Sequence, residues 1–145
     1  MIKKKRMPKS NKFMTVDYAK LSHREYRALM RCSEKAEVRK AAAQKLVDYL
    51  CKKYNIPRCI VWVADRMAPI RRGVSFVGTY YPNNMVMTIW NNEDFLKPCS
   101  IETFASTVLH EFMHHYDAHY LKLSKSPICE GFYARLHDLT NKLSS

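Results

Sequence analysis

The spacing of apolar residues changes twice along this chain, from a helical period to short alternating runs and back, which predicts two helices, three strands and two further helices. Thr15 to Arg31 reads as the first helix, with Thr15 as cap and Asp17 in the positive first turn. Ser33 is placed to cap the second, in which Ala43, Leu46, Val47, Leu50, Cys51 and Tyr54 share one face until Asn55-Ile56-Pro57 stops it. The β-branched and aromatic run Cys59 to Val63 is the first strand. Val74 to Tyr81 and Met85 to Trp90 are two more, joined by a turn at Pro82-Asn83-Asn84. Gly78 within a strand pattern indicates a bulge or a close backbone approach. After the polar stretch Asn91 to Ser100, Ile101, Phe104, Ala105, Val108, Leu109, Phe112 and Tyr116 define an amphipathic helix over Ile101 to Leu121. A last helix is expected from Pro127 to Leu143, capped by Ser126. The order defines one α+β domain.

Charge adds a second feature. The 25 Lys and Arg residues outnumber 13 Asp and Glu, for a formal charge of +12, which favours contact with a polyanion, nucleic acid first. Much of the excess lies in Lys3, Lys4, Lys5, Arg6, Lys9 and Lys12, so residues 1–14 read as a basic, disordered tail before a domain over 15–145. Such tails also serve solubility alone. Five cysteines, odd in number and without a C-x-x-C pair, fit reduced thiols and a cytoplasmic or nucleoid-associated protein. The basic cluster is followed by no apolar core of a signal peptide, and no run approaches the roughly 18 apolar residues of a membrane span.

The chemistry is concentrated in His110-Glu111-Phe112-Met113-His114. H-E-x-x-H on a helix stacks two imidazoles one turn apart with a carboxylate between them, the two zinc ligands and the general base of a zinc hydrolase. The pattern arises by accident in roughly one chain of this length in a hundred, so its place on a helix is what gives it weight. His110, His114 and Asp117 fall on one arc, opposite the middle of the apolar stripe, and are expected to face a cleft. Zn2+ needs a third protein ligand if one corner is to stay open for water. Glu130 is the first candidate, although a carboxylate in a first helical turn equally suits the helix dipole. Cys129 could ligate as a thiolate, and Asp117 is better placed as a partner of a ligand. His115 and His119 point away from the arc, as surface residues or substrate contacts. Tyr116, Tyr133, Arg135 and His137 are candidates to stabilise an oxyanion, Tyr133 and Arg135 ahead of the others. A peptide substrate is expected to add as a strand to a free sheet edge, for which Met85 to Trp90 is the candidate.

Over Cys59 to Leu143, the element order and the pairing of the motif with Gly131-Phe132-Tyr133-Ala134-Arg135-Leu136 resemble the SprT-like (Spartan-type) zinc metallopeptidase family. The resemblance implies a zincin core with a small three-stranded sheet, one zinc, Glu111 as catalytic base and a protein or peptide substrate. The Spartan branch cleaves proteins crosslinked to DNA, which would give the +12 charge a purpose. Two departures stand out. The third ligand His of the family falls at Ile128, and an aliphatic side chain cannot bind zinc. The C-terminal cysteine ribbon of many bacterial relatives is not among these residues, so DNA contact is expected through the core and the basic tail. Two other readings stay open: an ImmA/IrrE-type regulatory peptidase, and a degenerate zincin serving as a basic nucleic-acid-binding module.

Overall fold

The computed structural model describes residues 8–69 and 77–144. The Lys3 to Arg6 cluster and the first part of the strand expected from Val74 lie outside them. Helices α1 (Arg24–Arg31), α2 (Ala36–Tyr54), α3 (Ile101–His119) and α4 (Glu130–Ser144) surround strands β1 (Ile60–Met67), β2 (Gly78–Tyr81) and β3 (Val86–Asn92). The α+β composition and the element order match the sequence reading. No helix among the described residues is long and apolar enough to cross a membrane.

The sheet order is β1-β3-β2, with β3 parallel to β1 and antiparallel to β2. This corrects the expectation that Met85 to Trp90 offers a free edge. β3 is paired on both sides and sends Met87 and Ile89, both fully buried, into the core. Among the described residues the free edges belong to β1 and β2, and they differ. The Gln44 side chain of α2 donates to Cys59 O at 2.9 Å and accepts from Val61 N at 2.8 Å, occupying the outer backbone groups of β1 as another strand would. β2 has no such cover among the described residues. Its bond from Trp90 N to Val77 O turns 77, 79 and 81 toward β3, which by strand alternation leaves the backbone groups of Gly78 and Tyr80 facing outward.

α3 lies beneath the inner face of the sheet. Ser100 caps it by accepting from Thr103 N at 3.1 Å. Phe104, Val108, Leu109, Phe112, Met113 and Tyr116 are buried, as the helical period requires. α2 begins at Ala36, with Lys35 in place of the expected Ser33 cap, and stops where Asn55 takes a left-handed conformation, φ 54°.

The first helix is much shorter than its sequence pattern. It starts at Arg24, because residues 15–23 find hydrogen-bond partners elsewhere in the fold. Val16 N donates to Asp138 at 3.0 Å, Asp17 N to the Tyr116 hydroxyl at 3.2 Å, and Ser22 N to the Tyr49 hydroxyl at 2.7 Å. Val16 and Leu21 are buried as anchors. Here tertiary contacts outweigh local helix preference.

Residues 8–14 also depart from the expected disordered tail. They form a 3-10 turn over Lys9–Lys12 and are pinned beneath α4 by Arg135. The fully buried guanidinium donates to both oxygens of the equally buried Asp117, at 3.0 and 2.7 Å. Its remaining donors reach Ser10 O at 2.6 Å, Phe13 O at 2.7 Å and Ser10 Oγ at 2.7 Å. Gly131 permits this approach. A Cβ there would lie 2.7 Å from the Asn11 Cα, while its N–H donates to Asn11 Oδ1 at 2.7 Å.

Removing one partner of a buried ion pair strands the other charge, so Arg135→Ala is expected to destabilise the protein by about 3–5 kcal/mol. It should also expose residues 8–17 to protease. Denaturant unfolding with limited proteolysis checks this, and wild-type behaviour would show that the pair anchors nothing.

Candidate functional site

His110, Glu111 and His114 converge on a cleft of about 730 Å³ bounded by α3, β2, the 122–129 loop and α4. Gly78 sets the distance between strand and helix. A Cβ at this position would come within 2.5 Å of Thr107 Cγ2 and 3.3 Å of Glu111 Cγ, so a larger residue would push the strand off the motif helix. This is the close backbone approach expected of Gly78, and it brings the outward edge of β2 over Glu111.

Phe132 forms the floor beneath the two imidazoles. Its ring centroid lies 4.9 Å from that of His110 and 4.7 Å from that of His114, and the two imidazoles are 5.3 Å apart. Burial holds the His110 pKa below its ordinary value. It pushes that of His114 down to about 4, helped by the neighbouring His110. Both rings are therefore neutral at physiological pH, the form in which imidazole binds metal.

The orientation of His114 comes from a hydrogen-bond chain. Ser126 Oγ donates to Asp117 Oδ2 at 2.7 Å, which leaves its lone pair to accept from His114 Nδ1 at 2.9 Å. The proton is thereby fixed on Nδ1, and the Nε2 lone pair is free. Ser126, expected as the cap of the last helix, instead serves this chain, and α4 starts at Glu130.

Glu111 is 7% exposed, and burial lifts its carboxyl to about 7. It is the one carboxylate lining the cleft among the described residues. In the metal-free protein it is poised to exchange a proton near neutrality.

The other candidates separate from this site. Arg135 and Asp117 are fully buried in the anchor described above, so Arg135 does not face the cleft and is corrected from an oxyanion donor to a structural residue. Tyr133 is 56% exposed, and neither it, Glu130 nor Cys129 lines the cleft. Tyr116 is buried and accepts from Asp17 N. His137 is exposed beside Asn141. His115, expected at the surface, is fully buried: its ring nitrogens meet Tyr80 OH at 2.6 Å and Pro57 O at 2.7 Å, tying β2 to the turn before β1. Because Pro57 O can only accept, His115 Nε2 donates to it and Nδ1 accepts from Tyr80, which commits that hydroxyl to structure.

No group of three or more His, Cys, Asp or Glu side chains suited to a metal is gathered among the described residues. Ile128 lines the cleft, 53% exposed. Phe132 and Ser126 are the positions at the motif that residue chemistry alone missed or misassigned. Their common signal is proximity to the motif helix, visible only once the chain is folded.

Together the fold and cleft define an α+β domain carrying an H-E-x-x-H helix beneath an antiparallel edge strand. No protein family, curated protein or solved structure matches the chain.

Glu111 and His114 give the protein opposite pH responses. The raised carboxyl of Glu111 favours the fold below pH 4.5, a contribution lost as pH rises through about 7. The depressed imidazole of His114 favours it above pH 6.5, a contribution lost as pH falls toward about 4. Glu111→Gln is expected to stabilise the metal-free protein above pH 7 by up to about 3 kcal/mol and to change little below pH 4.5. Thermal melts across pH check this. A pH-independent effect would contradict the burial argument.

Proposed function

We propose that this chain is a zincin-type metallopeptidase domain of the SprT-like kind, which receives an extended polypeptide along the free edge of β2 and hydrolyses one of its amide bonds. The observation that carries the reading is the convergence of His110, Glu111 and His114 in a cleft roofed by an open strand edge.

The donor chemistry suits zinc in part. His110 and His114 offer two neutral imidazoles, and the chain through Ser126 to Asp117 is the kind of support that metal-binding histidines use. A third protein donor is not gathered beside them among the described residues, and Ile128 stands on the cleft wall at the position where the family resemblance implies a His. When bound, zinc supplies Lewis acidity toward a carbonyl and toward water.

The chain's own groups do the rest. The outward N–H and C=O groups of Gly78 and Tyr80 pair with the substrate backbone and align it over the motif helix. A Glu111 carboxylate oxygen takes the proton from the attacking water and returns it to the departing amine, from its place beside both imidazoles in the cleft. The Phe132 ring packs against both imidazoles and holds their placement on the cleft side. The charge of +12 supports substrates associated with nucleic acid, met through surfaces outside the cleft.

Ile128 favours a second reading, a degenerate zincin that binds without hydrolysis. Glu111 argues for the enzyme, since binding alone needs no buried carboxylate in the cleft.

Incubating the zinc-supplied protein with an unstructured protein substrate separates the two. Fragments are expected from the wild type, with loss on adding a chelator and a rate lowered at least about 100-fold by Glu111→Gln. Intact substrate in every case leaves the binding reading. Independently, Ile128→His is expected to raise zinc affinity by about tenfold or more, read by competition with a chromophoric chelator. Unchanged affinity would show that position 128 does not face the metal.

A further inference from the structure

The cleft is uneven along its length. Gly78 lies over Thr107 and Glu111, while the Tyr80 ring stacks on that of His114, so β2 and the motif helix run along the cleft in the same sense. On α3 the lining runs from Ser106 and Thr107, before Glu111, to Ala118, after His114, while Leu123, Ile128 and Leu136 line the cleft from the loop and α4. From Ser106 to Ala118 the helix rises roughly 18 Å, room for about five residues of extended peptide.

Charge sharpens the contrast. The chain carries 25 Lys and Arg, yet no Lys, Arg or Asp lines the cleft among the described residues. Among the described residues, the basic side chains that could attract a polyanion lie outside this lining. An ammonium or carboxylate brought against Leu123, Ile128 and Leu136 would lose its water and find no partner, a penalty an apolar side chain does not meet. Ile128, 53% exposed on the wall, presents apolar area that such a side chain would remove from water.

We infer that the cleft wall formed by Leu123, Ile128 and Leu136 is a subsite for one large, uncharged apolar side chain of the bound polypeptide, and that Ile128 sets this preference. The inference rests on the extended-chain binding proposed above. It gives the departure at position 128 a consequence: a position that would carry a metal donor in the resembling family selects substrate here.

The test uses the full chain as Glu111→Gln, so that binding is read without cleavage. Four dye-labelled peptides, identical except for Leu, Phe, Lys or Asp at the central position, are titrated by fluorescence anisotropy. The Leu and Phe peptides are expected to bind at least about tenfold more tightly than the Lys and Asp peptides. Adding Ile128→Glu should invert the order between Leu and Lys. Because Ile128 lies outside the helices and strands, a matching thermal melt establishes that the fold is kept. Ile128→Ala supplies a second readout, shifting preference from Leu toward Phe as the subsite widens. Equal affinities for the four peptides, no binding of any, or an order unmoved by both variants overturns the inference. Ordered binding with no cleavage by the wild type would sink hydrolysis and keep the subsite. Cleavage of proteins without regard to side chain would do the reverse.

Discussion

The buried pair of Arg135 and Asp117 holds the functional half of the molecule together. Two charges with no solvent access carry a large desolvation penalty, offset only if every donor and acceptor is satisfied. The guanidinium meets that condition with five hydrogen bonds, two to Asp117 and three to Ser10 and Phe13. The same contacts join three separate pieces of chain: α3 through Asp117, α4 through Arg135, and the segment before α1 through Ser10. Asp117 then extends the network through Ser126 to His114. An orienting contact at the motif is thus anchored, three links away, in the N-terminal segment.

Within the cleft, burial works in one direction on all three motif side chains. It favours the uncharged form, pushing the imidazoles down and the carboxyl up. This is the least costly way to keep two bases and an acid together where solvent is largely shut out. The neutral imidazoles keep a lone pair available, and the Glu111 carboxyl is left with an affinity for protons near neutrality.

Legibility from sequence followed the range of the forces involved. α3 and most of α2 were readable because one apolar face at a helical period is a local property, and the strands because their residues are β-branched and bounded by turns. The motif was readable because the contact between His110 and His114 is set by helix geometry alone. The first helix was overestimated because Val16, Asp17 and Ser22 exchange local hydrogen bonds for the side chains of Asp138, Tyr116 and Tyr49, which no local pattern reports. Arg135 and residues 8–14 were misread together and for one reason. Composition marks a basic tail as solvated and a lone Arg as surface or catalytic, whereas the fold joins the buried Arg135 to Ser10 and the Phe13 carbonyl while the basic side chains of Lys9 and Lys12 stay exposed. The strand assigned to substrate was wrong because sheet order is a non-local property: β3 leads into α3 and yet lies in the middle.

The two sheet edges are finished in different ways among the described residues. An unpaired strand edge attracts any extended chain, and the protein deals with its two edges differently. On β1 the Gln44 amide occupies Cys59 O and Val61 N, so pairing there would have to displace two formed hydrogen bonds. On β2 no side chain takes that role among the described residues, and Gly78 holds the strand low over Glu111. The Tyr80 hydroxyl, bound to buried His115, secures the other end of the strand above His114. A chain that pairs with this edge is delivered to the one carboxylate of the cleft. With one edge blocked and the other fixed at two points, a chain that paired with β2 would in the same event be aligned over the motif, so the placement of this four-residue strand matters more than its length.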